Sequence, residues 1–430
     1  MYIDNLSLTN FRTFRKSRID FVHPDQDFEK LGIPVPKLKN VNLLLGNNGL
    51  GKTTLLKAIA LSALGPAVGS SGIYANRLVR REPVLAKSGK GVSKKAASGA
   101  KAVLEAAFTT HPQDRTRGVK TILSQVGINK RRDLEEIQWS PDWEFKVREK
   151  LEVPWDSIFQ SSSDAFFFVG YGATRRVEKR ERVDMGSRKS SSFDRAQRVQ
   201  SLFEEAYSLL PLSNWLPEMK KGNPGRHKQV CTLINKLMGK GHYTFTGEME
   251  DGEYLFERGG LHMPFPALSD GYRAFLGWVG DLLYHVCTTA PSGKRLDENC
   301  GMVLVDEIDL HLHPKWQMTV LHTLATELPK IQFIATSHSP LLVGSLEWMN
   351  IIVMESGPKQ SSVAKRIDMP VHGLDADQVL LTDFFGMDTT RVGVKDKMMK
   401  DLTLKARGGD NKSAQELIKV WSIGLEGLKK

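Results

Sequence analysis

The eight residues Gly46-Asn47-Asn48-Gly49-Leu50-Gly51-Lys52-Thr53 constrain this chain more than any other feature. They sit between a short strand-like run, Val41–Leu45, and a helical pattern from near Lys52 to about Leu64. Glycines at this spacing let backbone N–H groups turn inward around a phosphate. The helix N-terminus adds positive partial charge at the same place. In such a loop Lys52 reaches the β- and γ-phosphates of a nucleotide, and the Thr53 hydroxyl ligates Mg²⁺. Asn47, Asn48, Gly49, Gly51 and Thr54 line the same cradle.

Three further segments carry chemistry. Met302–Val305 is an apolar strand that runs into Asp306 and Glu307. Adjacent carboxylates at a strand end repel each other unless a cation is near. Asp306 is therefore expected beside the Mg²⁺, through water, with Glu307 free to polarise an attacking water. Leu268-Ser269-Asp270-Gly271-Tyr272-Arg273 precedes a long helical pattern. There Ser269 and Gly271 can offer a hydroxyl and an exposed N–H to a phosphate; Ser and Asp are equally preferred as plain N-caps. Finally, Phe333–Ala335 is a buried strand followed by Thr336-Ser337-His338. His338 could reach a γ-phosphate, although a histidine in that setting is often only structural.

The rest of the chain reads as alternating strands and helices. Residues 1–21 form two strands around an Asn10–Phe14 turn. Residues 65–165 are the least regular part, with one strand-like run at Ala102–Thr109. Residues 195–211 and Gln229–Met238 have helical spacing, and Tyr243–Phe256 reads as a hairpin turning at Asp251-Gly252. Apolar strands alternating with helices imply a largely parallel sheet with helices on both faces. The expected division is an ATPase domain over 1–355 and a helical region over 356–430. Within the former, 1–64 holds the strands and phosphate loop, 65–165 an irregular basic insert, 166–267 a helical/β insertion, and 268–355 the remaining motifs.

Charge is uneven. The net charge is +11. Residues 77–132 alone hold 14 Lys and Arg against three acids, and Tyr171–Val199 holds nine against four. Such patches can neutralise nucleic-acid phosphates, or be solvated loops such as the Lys/Gly/Ser-rich stretch Lys87–Lys101. The three cysteines, Cys231, Cys287 and Cys300, make no CxxC pair. A disulfide framework and a Cys-based zinc site are not expected, and a reducing cytoplasm fits. No apolar run nears the length of a membrane-spanning helix. The N-terminal residues lack the basic-then-apolar order of a signal peptide.

Taken in order, these motifs resemble an ABC-type ATPase of the SMC/RecF-like branch. They are similar to the compact ATPases grouped as AAA family members in prokaryotic defence systems. The fold this implies is α/β: an ABC-ATPase-like P-loop fold with an N-terminal antiparallel β subdomain and a helical insertion. Leu8-Thr9-Asn10-Phe11-Arg12 resembles the branch's N-terminal strand motif, which makes Arg12 a nucleotide ligand by resemblance. Leu268–Tyr272 stands at the signature motif, Asp309–Pro314 at the D-loop and His338 at the switch histidine. The phosphate-sensing glutamine has no clear counterpart; the chain has Tyr171-Gly172-Ala173-Thr174-Arg175-Arg176 there.

The resemblance implies ATP and Mg²⁺ as cofactors and a homodimer, or a higher oligomer, formed head-to-tail around ATP. Glu307, His338 and Lys52 would be its catalytic groups. The likeness extends to the ATPase component of Septu and certain retron anti-phage systems, which implies an HNH nuclease or other effector as partner and nucleic acid as a ligand of 77–132. A RecF-like repair ATPase without a nuclease partner is the alternative. Intrinsic nuclease chemistry is not expected, because the residues after His338 lack a convincing Glu…Asp-x-Asp set. A membrane partner is not expected either.

Overall fold

The computed structural model describes residues 1–73, 76–81, 100–111, 114, 119–131, 134–141, 155, 158, 167–177, 191–239, 243–289, 294–387, 390, 401–406 and 408–416. Lys87, Lys90, Lys94 and Lys95, the centre of the basic insert, lie outside them. Two compact units are distinguished, Met1–His372 and Gly373–Lys430.

The first unit is built on a six-stranded sheet. Its order is Ser361–Lys365, Ile351–Gly357, Val41–Gly46, Ile331–Thr336, Gly301–Val305 and Phe167–Tyr171. All neighbours pair in parallel except the edge strand Ser361–Lys365. Val41–Leu45, Gly301–Val305 and Ile331–Thr336 are buried throughout, as strands covered on both faces must be. Because these three run the same way, the residues that follow them emerge at one end of the sheet. Those residues are the phosphate loop, Asp306-Glu307 and Ser337-His338. Ligands bind outside the carboxyl ends of strands in open α/β sheets.

A second, antiparallel sheet has the order Phe14–Asp20, Tyr2–Phe11, Lys101–Thr109, Thr121–Arg131, Leu134–Pro141. Its last three strands come from the stretch that the sequence leaves irregular. Period-2 burial runs through Thr121–Arg131, with Ile122, Ser124, Val126 and Ile128 inward. A serine in the inward register weakens that pattern in the sequence. Its hydroxyl is satisfied by the Ser62 carbonyl at 2.7 Å.

The helix Lys52–Leu64 packs between the two sheets. It is buried nearly all round, so it carries no one-sided apolar stripe. Buried amides on the two central strands of the first sheet tie it to the second. Gln332 accepts from Ile3 N–H at 2.9 Å and donates to the Ile3 and Val22 carbonyls, both at 2.9 Å. Asn42 accepts from Val22 N–H at 2.8 Å and donates to its carbonyl at 2.7 Å. Strand polar groups that cost energy when unpaired are thus paired with backbone.

The helix expected over 195–211 is shorter, Ser191–Gln200, and is followed by turns and the two-residue strand Ser208–Leu209. Pro211 disfavours helical backbone at Leu210, and the Leu210 N–H donates instead to Asp281 at 2.8 Å. The hairpin turns at Asp251 and Gly252, both at positive φ, and gains a third strand, Leu261–Pro264. Helix Asp270–Thr289 follows. In the second unit, Ala376–Leu380 is a helix opened by an Asp375/Gln378 capping box, and residues 401–406 and 411–416 are helical. Among the described residues no helix is long and apolar enough to cross a membrane.

Candidate functional site

The loop after Val41–Gly46 turns tightly enough that Gly51 adopts φ 94° at the helix N-cap. A Cβ there would stand 2.5 Å from the Thr13 hydroxyl and 3.0 Å from the Phe14 ring. The N-terminal hairpin turn therefore leans on the loop. Asn47, Asn48 and Gly49 are exposed at its tip. Lys52 is 7% exposed. Its ammonium donates to the Gly46 carbonyl at 2.6 Å and the Asn47 carbonyl at 3.3 Å. Burial pulls its pKa below the usual lysine value, against the opposing pull of Asp306, Glu307 and Asp309.

A chain of hydrogen bonds then crosses from the loop to the carboxylates. Thr53 donates to Asp306 Oδ2 at 2.8 Å, and Thr336 donates to Asp306 Oδ1 at 2.7 Å. The same Thr336 hydroxyl accepts from the Glu307 N–H at 2.7 Å. Asp306 is buried, whereas Glu307 is half-buried. Glu307 sits at φ 47°, unusual for a residue with a side chain. Its carbonyl accepts from the buried Arg175 guanidinium. His338 is exposed at the end of Ile331–Thr336. The partial desolvation it does have, and the Lys52 charge next, pull its imidazole below the ordinary 6.5, while Glu307, Asp309 and Asp306 oppose the shift.

Lys52, Thr53, Asp306, Glu307 and His338 are thus brought into one cluster. Thr54 is buried one residue further into the helix. Arg12 lies in the hairpin turn at φ 45°, and its Nε is buried without a hydrogen-bond partner. Lys57 stands beside Arg12; burial, then the Arg12 charge, depress its pKa. Ser269 and Asp270 are exposed at the start of Asp270–Thr289. Gly271 lies against the His311 carbonyl, 2.7 Å from where a Cβ would be. That close approach sets the signature segment beside Asp309–His313.

Two participants escape the sequence reading. Thr336 is one of the residues in a Thr-Ser-His-Ser run, and nothing in the spacing says which hydroxyl turns to the carboxylates. Arg175 stands out in its motif, but only the fold directs it to Glu307. The hydroxyl of Thr53 and the carboxylate of Asp306 are hard oxygen donors facing one another, so they fit Mg²⁺.

Residues 41–344 match the family model described as "AAA domain, putative AbiEii toxin, Type IV TA system". The chain is 23% identical over 421 residues to "Septu protein PtuA" of Bacillus mycoides (strain KBAB4), covering 97% of this chain and 49% of that protein. It is 23% identical over 389 residues to "Retron Ec83 probable ATPase" of Escherichia coli, covering 77% of this chain and 70% of that protein. The chain thus spans about half the length of the Bacillus mycoides relative. Among solved structures, "SMC head domain from Thermotoga maritima" aligns with a TM-score of 0.44 at 14% identity, over 86% of this chain and 100% of that one.

Proposed function

The chain belongs to this AAA-domain family, and from that premise we propose that it binds and hydrolyses ATP to control an effector protein in anti-phage defence. The observation that carries the hydrolytic part is the bond chain Thr53–Asp306–Thr336–Glu307. It joins the phosphate loop to the main-chain N–H of the half-buried Glu307. The defence role draws on the Septu and retron names of two relatives.

In this reading Asn47 to Thr54 bind the phosphates, with Lys52 leaving its two carbonyl partners for the β- and γ-oxygens. Thr53 and Asp306 would hold Mg²⁺, which neutralises phosphate charge when bound. Glu307 accepts the proton of the attacking water and aligns it for in-line displacement. His338, neutral near neutral pH, donates a hydrogen bond to the charge growing on the γ-phosphoryl group. Ser269 and Gly271 would close the site from a second copy, head-to-tail, so that ATP joins two subunits and hydrolysis parts them. Arg12 would add a positive charge near the loop. The basic stretch 77–132 would engage nucleic acid, and an HNH nuclease or other effector would answer to the ATPase.

Sedimentation of the Glu307→Gln chain with ATP and Mg²⁺ tests the assembly. A dimer that returns to monomer on ATP removal is expected; a monomer at every ATP concentration contradicts it. ATP hydrolysis measured at low salt with and without DNA or RNA tests the sensing step. A rate indifferent to any polynucleotide, with no binding, counts against it.

A further inference from the structure

Glu307 is held by both of its backbone ends. Its N–H is fixed by Thr336, and its carbonyl by the Arg175 guanidinium. That pair of bonds keeps it at φ 47°, a conformation an unrestrained glutamate leaves readily. Arg175 is only 9% exposed and itself stands at φ 36°. Its guanidinium lies 5.6 Å from the ring centroid of Trp278. Trp278 belongs to the helix Asp270–Thr289, which opens with the signature residues. The same helix is pinned next door: Asp281 accepts from the Tyr171 hydroxyl at 2.9 Å. The carbonyl of Tyr171, in turn, accepts from the Asp306 N–H at 2.8 Å.

We propose that Arg175 is a positioning residue for Glu307, which sets the carboxylate in register with the signature helix through Trp278. The proposal rests on the reading of Glu307 as the group that activates water. A guanidinium can rest its flat face toward the indole while its edge donates to a carbonyl, and an ammonium cannot do both. Burial pulls its pKa down to about 10, and nearby Asp306, Asp309 and Glu307 offset part of that cost. A shift of the helix that moves Trp278 would thus move the Glu307 carbonyl. Closure of a second subunit on Ser269 and Gly271 would then be felt at the carboxylate.

The test compares wild type, Arg175→Ala, Arg175→Lys, Trp278→Leu and Glu307→Gln by steady-state ATP hydrolysis and by calorimetric ATP binding. Arg175→Ala is expected to lower kcat by about 10- to 100-fold, the scale of a misplaced catalytic group. Its Kd for ATP should stay within about threefold of wild type, because no phosphate contact is lost. Arg175→Lys should fall between the two. Trp278→Leu keeps the guanidinium and removes the ring, and should lower kcat several-fold at unchanged ATP affinity. It also decides the matter if Arg175→Ala does not fold. Normal kcat in both Arg175→Lys and Trp278→Leu overturns the proposal. So does a loss of ATP affinity in Arg175→Ala that accounts for its loss of rate. A Glu307→Gln chain that hydrolyses ATP normally fails the reading of the site itself, whatever the Arg175 variants do.

Discussion

The Thr53 hydroxyl donates to Asp306 Oδ2 at 2.8 Å, across 253 positions of sequence. This bond links the first turn of the phosphate-loop helix to the end of Gly301–Val305. Thr336 completes it from the neighbouring strand, giving its proton to Asp306 and receiving one from the Glu307 N–H. Thr336 is fully buried. Thr336→Val keeps the shape and strands both partners. It should cost about 1–3 kcal/mol of stability, the usual penalty for leaving buried polar groups unpaired. Chemical denaturation would measure this; a midpoint equal to wild type contradicts the assignment.

Gly51 carries a steric prediction. Its φ of 94° and the Thr13 hydroxyl 2.5 Å from a would-be Cβ leave no room for a side chain. Gly51→Ala should both strain the loop and push the hairpin turn away. ATP affinity should fall at least about tenfold, a loss of roughly 1.4 kcal/mol. Calorimetry reads it directly, and unchanged affinity would show that the loop tolerates a bulkier residue.

Asp281 is a buried acid on the helix Asp270–Thr289, with His285 one turn further along the same face. Burial pushes its carboxyl up, but His285 and the bonds from Leu210 N–H and the Tyr171 hydroxyl outweigh burial and leave it below the ordinary 3.8. A depressed carboxylate contributes stability above its unfolded pKa and loses it as pH falls through the folded one. Its contribution should therefore be intact at neutral pH and lost only below pH 3.8. Asp281→Ala strands a hydroxyl and an N–H, and is expected to lower stability by about 1–3 kcal/mol at pH 7. A neutral effect would show that water satisfies those donors.

His338 sets the acid limit. With its imidazole held below 6.5 in the fold, the native state binds fewer protons than the unfolded chain just under that pH. The neutral ring is then the form present at pH 7, and it charges only further down. The acid limb of kcat/KM, which reports the free enzyme, should have its midpoint below 6.5, and the histidine's step should be missing in His338→Ala. A midpoint above 6.5 that vanishes with the histidine contradicts this.

The motifs were legible because short-range rules govern them. Glycine spacing, a strand ending in acids and a helix start each leave a local mark. The central sheet was legible from its buried apolar runs. The strands Thr121–Arg131 and Leu134–Pro141 were not, since Ser124 faces inward and Glu135 bonds the Leu78 N–H at 2.6 Å. Partners so distant in sequence leave no periodic trace. The same holds for Arg175 and Trp278, whose meeting depends on how a loop and a helix pack.

Phosphate release by wild type and by Glu307→Gln, at saturating ATP and Mg²⁺, tests the central claim most directly. The account predicts a measurable wild-type rate and a fall of at least about 100-fold in the variant, in the range ascribed to a positioned general base. ATP binding in the variant should be retained. Equal rates in the two chains would contradict it.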